Sequence, residues 1–120
     1  MLKKSSRKIS QKSTAHIAIV ASTYNVEFVD GMLGSALCTL EKAGARKVEL
    51  MRVPGAFEIP VVTAKLARRK RNRPEAIICL GVILRGKTTH ADHIGQTVSW
   101  LLGQIAMETG VPVIHEVLLL

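Results

Sequence analysis

The sequence predicts one α/β domain, a four-stranded parallel sheet with helices packed on its faces. Short apolar runs rich in β-branched residues alternate with stretches whose apolar residues recur every three or four positions, in the order βαβαβαβ. The run Ala76 to Leu84 (AIICLGVIL) is almost continuously apolar, the pattern of a central parallel strand covered on both faces. A length of 120 residues leaves room for one such unit, because domains ordinarily take roughly 100 to 200 residues.

The elements follow in order. His16 to Ser22 (HIAIVAS) sits between a polar leader and Thr23-Tyr24-Asn25 and suits a buried first strand. From Val26 the residues Val26, Val29, Met32, Leu33, Ala36, Leu37 and Leu40 keep helical spacing, with Asn25 as the N-cap and Gly44 as the stop. Lys47 to Val53 (KVELMRV) reads as the second strand. Pro54-Gly55 then punctuates the chain before a second helix of about Phe57 to Lys70, whose first turn accommodates Pro60 because the missing N–H costs little there. The third strand, Ala76 to Leu84, is followed by a polar loop, Arg85 to Ala91. A third helix from Asp92 to Thr109 carries Ile94, Val98, Leu101, Leu102 and Ile105 on one stripe; Gly110 and Pro112 end it, and Val113 to Leu119 (VIHEVLL) supplies the fourth strand. The sequence stops at Leu120 without the further helix that a doubly covered sheet wants. Part of one face is therefore expected to meet a partner subunit, or the chain is a truncated one.

Charge and cysteine content narrow the class. The formal charge is +8, but five of the 17 basic residues lie in the first twelve positions (Lys3, Lys4, Arg7, Lys8, Lys12) and five more are Arg68, Arg69, Lys70, Arg71 and Arg73. Without those ten, seven positive residues face nine negative ones, so the body is near neutral. A basic run at a helix end reads as a solvated face or a partner of the helix dipole, and no nucleic-acid role is expected. The four aromatics, Tyr24, Phe28, Phe57 and Trp100, are too few for base-stacking platforms. Residues 1–14 are basic, Ser-rich and acid-free, without the apolar core of a secretory leader, and read as a flexible arm before a domain spanning 15–120. No apolar stretch approaches the ~18 residues that span a bilayer, so a soluble protein is expected. Cys38 and Cys79 sit in apolar patterns and read as buried small hydrophobes, which fits a reducing cytoplasm.

In a parallel sheet, ligands gather at the carboxyl ends of the strands. After the first strand, Tyr24 stands at a helix start, as a ligand-facing or merely a surface aromatic. After the second, Gly55-Ala56-Phe57-Glu58 would let a ligand approach the free N–H groups of a helix start, with Glu58 accepting hydroxyl hydrogen bonds or simply pairing with the helix dipole. After the third comes the richest segment, Arg85-Gly86-Lys87-Thr88-Thr89-His90. Gly81 to Thr88 (GVILRGKT) fits the phosphate-loop pattern G-x-x-x-x-G-K-[ST] to the letter, yet Val82, Ile83 and Leu84 favour a continuing strand over a curl around phosphates. The smaller claim is an anion site built from Lys87, Thr88, Thr89 and a helix N-terminus. His90 is the candidate general acid/base, oriented by Asp92 or Glu108. His16, His93 and His115 have no metal-ligand spacing with the cysteines, so zinc is not expected, and no nucleophile triad is present.

Three separated motifs carry a family resemblance. VPGAFEIP (Val53 to Pro60), the RGKTTH loop continued to Asp92, and TGVPVI (Thr109 to Ile114), with the opening HIAIVASTYN, resemble 6,7-dimethyl-8-ribityllumazine synthases of riboflavin biosynthesis over about His16 to Leu119. The resemblance implies a flavodoxin-like three-layer α/β/α sandwich and no cofactor. The reaction it implies is condensation of 5-amino-6-ribitylaminouracil with 3,4-dihydroxy-2-butanone 4-phosphate, with loss of phosphate and water. By position it gives Tyr24 a stacking role where the family usually has Phe or Trp. It gives Ala56, Phe57 and Glu58 the ribityl chain, and Val82, Ile83 and Leu84 the pyrimidine through backbone groups. Lys87 and Thr88 fall at the phosphate, His90 at the proton-transfer position, and His115 where an aromatic, commonly Phe, reaches a neighbouring subunit's site. The family assembles as pentamers, sometimes sixty-subunit shells. Its pattern continues past the counterpart of Leu120 with helices carrying an arginine for the phosphate and a nearby lysine; Lys87, often small or acidic in the family, would supply part of that charge. Three readings stay open: the enzyme, an impaired relative or fragment serving as an assembly subunit, and a phosphate-loop nucleotide binder.

Overall fold

The computed structural model describes residues 14–120, so all but the last residue of the expected basic arm lies outside the described residues. In chain order the elements are β1 (His16–Ser22), α1 (Val26–Lys42), β2 (Lys47–Val53), a 3-10 turn (Ala56–Glu58), α2 (Ile59–Ala67), β3 (Ala76–Ile83), α3 (His90–Thr109) and β4 (Val113–Leu119). All pairings are parallel, in the order β2-β1-β3-β4. The expected α/β architecture with four parallel strands is the one observed.

Three layers result. One face of the sheet, with Ala18 and Val20 of β1, Ile77 and Cys79 of β3 and Val117 of β4, packs against Ile59, Leu66 and Ala67 of α2 and Val98, Leu102 and Ile105 of α3. The other face presents Ile19, Ala21, Leu80 and Val82 to Val29 and Leu33 of α1. Burial of such apolar area is the main favourable term in folding. Since α1 is the only helix of that second layer among the described residues, Leu50 of β2 and Ile114 and Leu118 of β4 stay exposed beside it. Part of one sheet face is thus uncovered by these elements, as the βαβαβαβ order implied.

Several details differ from the sequence expectation. The second helix is shorter than Phe57 to Lys70. A 3-10 turn precedes it, because the Gly55 N–H is taken by Glu58 Oε1 (2.8 Å) and the Glu58 N–H by Gly55 O (3.1 Å). It ends at Ala67, where the Arg69 N–H turns back to Leu66 O (3.3 Å) and tightens the chain out of the helix. The third helix starts at His90, two residues early, and β3 ends one residue early at Ile83. Cys38 is exposed rather than buried, because α1 buries only the stripe around Val29 and Leu33. Cys79 is buried as expected; burial pushes its thiol up to about 11, which makes it an inert core residue.

A polar cluster closes the amino end of the sheet. His16, buried at the start of β1, donates from Nε2 to Glu49 Oε1 of β2 (2.7 Å), and Arg69 donates from Nη1 to the same oxygen (2.7 Å). Hydrogen bonding from Arg69 is the largest influence on the Glu49 carboxyl; it and His16 together outweigh burial and hold the group below its ordinary value of 4.5. A depressed carboxyl contributes stability above its unfolded value, and loses it as pH falls through the folded one. Glu49→Gln is therefore expected to cost about 1–3 kcal/mol near neutrality, a deficit that shrinks as pH drops below about 4. Thermal melts of both proteins from pH 7 to pH 3 test this; a deficit independent of pH contradicts it.

Candidate functional site

Strand order fixes where the site forms. From β1 the chain leaves over one face through α1 to β2, then returns to β3 through α2 on the opposite face. The loops after β1 and β3 therefore diverge, and a crevice opens at their carboxyl ends. In this structure it is a cleft of about 500 Å³ lined by Tyr24 and Asn25, by Gly55 to Glu58, by Val82 to Leu84, and by Gly86, Thr88, His90, Ala91 and Ile94. A second groove, about 440 Å³, runs between α2 and α3; its charged lining residues, Arg68 and Glu108, are paired with each other at 3.1 Å, and it holds no histidine.

Each wall of the cleft is fixed by bonds that its sequence makes possible. The loop after β1 is pinned to the end of β2, with the Thr23 N–H on Val53 O (2.8 Å) and the Tyr24 N–H on Pro54 O (2.9 Å). Tyr24 itself is 73% exposed, leaving its ring available to a ligand. The second wall is the Gly55 to Glu58 turn, where the mutual Gly55 and Glu58 bonds hold the carboxylate at the cleft. Beneath it the chain passes very close to β3: a Cβ on Gly81 would sit 3.1 Å from Ile59 Cδ1 and 3.3 Å from Ser22 Oγ. The buried Ser22 hydroxyl there has no hydrogen-bond partner among the described residues. The third wall joins the end of β3 to the start of α3. His90 is the first residue of α3, with its N–H on Thr88 Oγ1 (3.3 Å), and its side chain is exposed. The amino end of a 20-residue helix behind Gly86, Lys87 and Thr88 favours an anion there.

Of the residues singled out in the sequence, Tyr24, Ala56, Phe57, Glu58, Val82, Ile83, Leu84, Thr88 and His90 come together at this one cleft. Lys87 is exposed between the lining residues Gly86 and Thr88, without lining the cleft itself. His115 lies elsewhere, on the α3 side of β4. The Val117 N–H donates to its Nδ1 (3.2 Å), so Nε2 carries the proton and donates to Ser99 Oγ (2.8 Å). Neither carboxylate proposed to orient His90 does so: Asp92 pairs with Arg85 (3.3 Å), and Glu108, near the far end of α3, pairs with Arg68 and accepts from Gln104 (3.0 Å). The phosphate-loop pattern is overturned, because Gly81, Val82 and Ile83 are β3 residues paired with Val117, Leu118 and Leu119 and cannot curl around a phosphate.

Asn25 has a role beyond the N-cap expected of it. Its side chain makes no capping bond; instead Nδ2 donates to Val82 O (2.8 Å), while its backbone sits in the left-handed region (φ 59, ψ 45). The last β1–β3 pair is Ala21 with Leu80, so the amide supplies a donor to β3 just where β1 has turned away. The signal for this was an Asn at a strand end, a residue that tolerates the left-handed conformation and carries an amide. Asn25→Ala is expected to lower stability by about 1–3 kcal/mol, and Asn25→Gly by about 1 kcal/mol less, since glycine relieves the backbone. Denaturant titrations separate the two; equal losses would contradict the left-handed assignment.

Comparison with known proteins gives the family. The 6,7-dimethyl-8-ribityllumazine synthase family profile matches residues 14–120. A 6,7-dimethyl-8-ribityllumazine synthase of Kineococcus radiotolerans is 42% identical over 101 residues, which is 84% of this chain and 61% of the relative. One of Streptomyces coelicolor is 43% identical over 97 residues, 81% of this chain and 58% of the relative. One of Thermococcus onnurineus is 39% identical over 102 residues, 85% of this chain and 66% of the relative. The chain thus spans about three fifths of the length of the first two of these relatives. A profile match across the whole described fold, together with relatives about 40% identical over more than four fifths of this chain, means that the chain belongs to the 6,7-dimethyl-8-ribityllumazine synthase family.

Proposed function

We propose that the chain catalyses condensation of 5-amino-6-ribitylaminouracil with 3,4-dihydroxy-2-butanone 4-phosphate to 6,7-dimethyl-8-ribityllumazine, releasing phosphate and water. The observation that carries this reading is one cleft holding a free aromatic ring, a fixed carboxylate, the end of β3 and an exposed histidine beside a helix N-terminus. A planar ring fits against Tyr24. A polyhydroxylated chain suits the Gly55 to Glu58 turn, where Glu58 accepts from hydroxyls while held by the Gly55 amide. Backbone groups of Val82, Ile83 and Leu84 suit the edge of a pyrimidine. Lys87, Thr88 and the start of α3 suit the phosphate of the second substrate.

The chemistry needs orientation and proton movement more than a protein nucleophile. The substrate's amine attacks the ketone and water leaves as the imine forms; phosphate is then eliminated, and the second nitrogen closes the ring on the carbonyl this uncovers, with loss of a second water. His90 takes and returns protons in these steps, and its exposed side chain, without a hydrogen-bond partner among the described residues, is free to meet the substrate. His115, remote from its own chain's cleft, serves a neighbouring copy in a homo-oligomer, presenting a ring edge where the family has a larger aromatic. The exposed Leu50, Ile114 and Leu118 beside α1 suit burial in the complete assembly. The cytoplasm is the compartment this role implies.

Purified protein supplied with both substrates, followed by lumazine absorbance and fluorescence, tests the reading. His90→Ala is expected to lower kcat by about 10²- to 10⁴-fold. Lys87→Ala is expected to raise KM for the phosphate substrate about tenfold with a smaller effect on kcat. A His90→Ala protein that turns over as fast as its parent would overturn the proton-transfer role. A folded, assembled protein without product would favour the assembly-subunit reading.

A further inference from the structure

One buried polar group is left unused by the fold. Among the described residues, the Ser22 hydroxyl is the single buried side-chain nitrogen or oxygen without a hydrogen-bond partner. The other buried polar side chains there are satisfied, His16 by Glu49 (2.7 Å) and Thr63 by Ile59 O (2.8 Å). The backbone at Ser22 is held on both sides. Arg52 donates from Nη2 to Ser22 O (2.9 Å) and from Nε to Ala21 O (3.2 Å), and the Thr23 N–H is on Val53 O (2.8 Å). A buried hydroxyl left unpaired destabilises the fold that holds it, a penalty that alanine would not carry. The unliganded domain therefore gives no reason for a serine at this position.

The hydroxyl lies where the crevice begins. Side chains of a strand alternate between faces, so Ser22 follows Ala18 and Val20 onto the face of β1 that packs under α2 and α3. The cleft reaches that same face, since Ala56, Ile83 and Ala91 of its lining belong to the core cluster that contains Val20. The β1–β3 pairing ends at Ala21 with Leu80, so Ser22 and Gly81, next in register, stand where the strands part. A Cβ on Gly81 would lie 3.3 Å from Ser22 Oγ and 3.1 Å from Ile59 Cδ1. Val82 follows Gly81 and Ile59 follows Glu58, so the β3 wall and the Gly55 to Glu58 wall both start beside this hydroxyl.

We propose that Ser22 is a further binding residue of the cleft: as the ligand enters, its hydroxyl turns to another staggered rotamer and hydrogen-bonds a hydroxyl of the polyhydroxylated chain at the Gly55 to Glu58 turn. This rests on the reading of the cleft as the ribitylaminouracil site. A serine hydroxyl has one donor and two acceptor lone pairs, which suits another hydroxyl. The ionised Glu58 accepts hydroxyl protons and offers none, so Ser22 adds a side-chain donor to the same wall. The atom that gives way is Ile59 Cδ1, the far end of a flexible side chain. The cost of the unpaired hydroxyl in the empty domain is then recovered on binding, which favours a ligand with hydroxyls over one without them.

The test joins thermal melts to calorimetric titration with 5-amino-6-ribitylaminouracil, on the full parent chain, Ser22→Ala and Ser22→Cys. Cysteine fills the same space with a poor hydrogen-bonding group, which separates loss of the bond from loss of volume. Ser22→Ala is expected to raise the melting temperature of the unliganded chain by a few degrees, and to weaken the ribitylaminouracil about tenfold. Ser22→Cys is expected to weaken it to a similar extent. A lower melting temperature for unliganded Ser22→Ala overturns the proposal, because the hydroxyl would then be paired in the empty domain. A parent that binds while Ser22→Ala or Ser22→Cys binds equally well overturns it and leaves the reading of the cleft standing. No binding by the parent overturns that reading and this proposal with it. An analogue with a pentylamino chain in place of the ribitylamino chain, weakened by Ser22→Ala to the same extent, overturns the contact with a chain hydroxyl.

Discussion

The site depends on the parting of two neighbouring strands. β1 and β3 pair as far as Ala21 and Leu80, and then the chain after β1 is drawn off by α1 while α2 lies over the other face. A parting of strands strands backbone groups, and a buried carbonyl without a donor costs about 1–3 kcal/mol. The Asn25 amide meets Val82 O at 2.8 Å and removes that cost. One side chain thereby satisfies β3, directs the chain into α1 and fixes Tyr24 at the mouth of the cleft. The left-handed backbone at Asn25 is the strain that accompanies this arrangement, of the kind found at functional sites.

The two ends of the sheet are built differently, and the difference follows from what each must do. At the amino end His16, Glu49 and Arg69 satisfy one another in a largely buried cluster, where each charge has a partner. At the carboxyl end Tyr24, His90 and Lys87 are exposed and lack such partners among the described residues. Groups held in a closed network stabilise; groups left open are available to a substrate. Gly81 joins the two requirements, since a Cβ there would crowd Ile59 Cδ1 at 3.1 Å under the Gly55 to Glu58 turn.

Much of this was legible in the residues. The apolar run of β3 and the three- and four-residue spacing of α1 and α3 depend on burial alone, and burial is written in periodicity. The motif residues on three loops met at one cleft because parallel topology places strand ends together. Other features depend on tertiary partners and were not legible. Asp92 and Glu108 were equally plausible partners for His90 until Arg85 and Arg68 were found to hold them. Cys38 lay within an apolar pattern, yet α1 turns it outward. His16 showed only a polar residue at a strand start, because its partner Glu49, itself held by Arg69, lies 33 residues along the chain. The phosphate-loop pattern failed for a local reason: Val82 and Ile83 are strand residues first.

The central claim is that the β1–β3 crevice is the binding site. Amide chemical shifts of the isotopically labelled chain, titrated with 5-amino-6-ribitylaminouracil alone, test it most directly. The account predicts that saturable shifts concentrate at Tyr24, Gly55 to Glu58 and Val82 to Leu84. Shifts confined to the groove between α2 and α3, around Val61, Ala64 and Leu101, would contradict it.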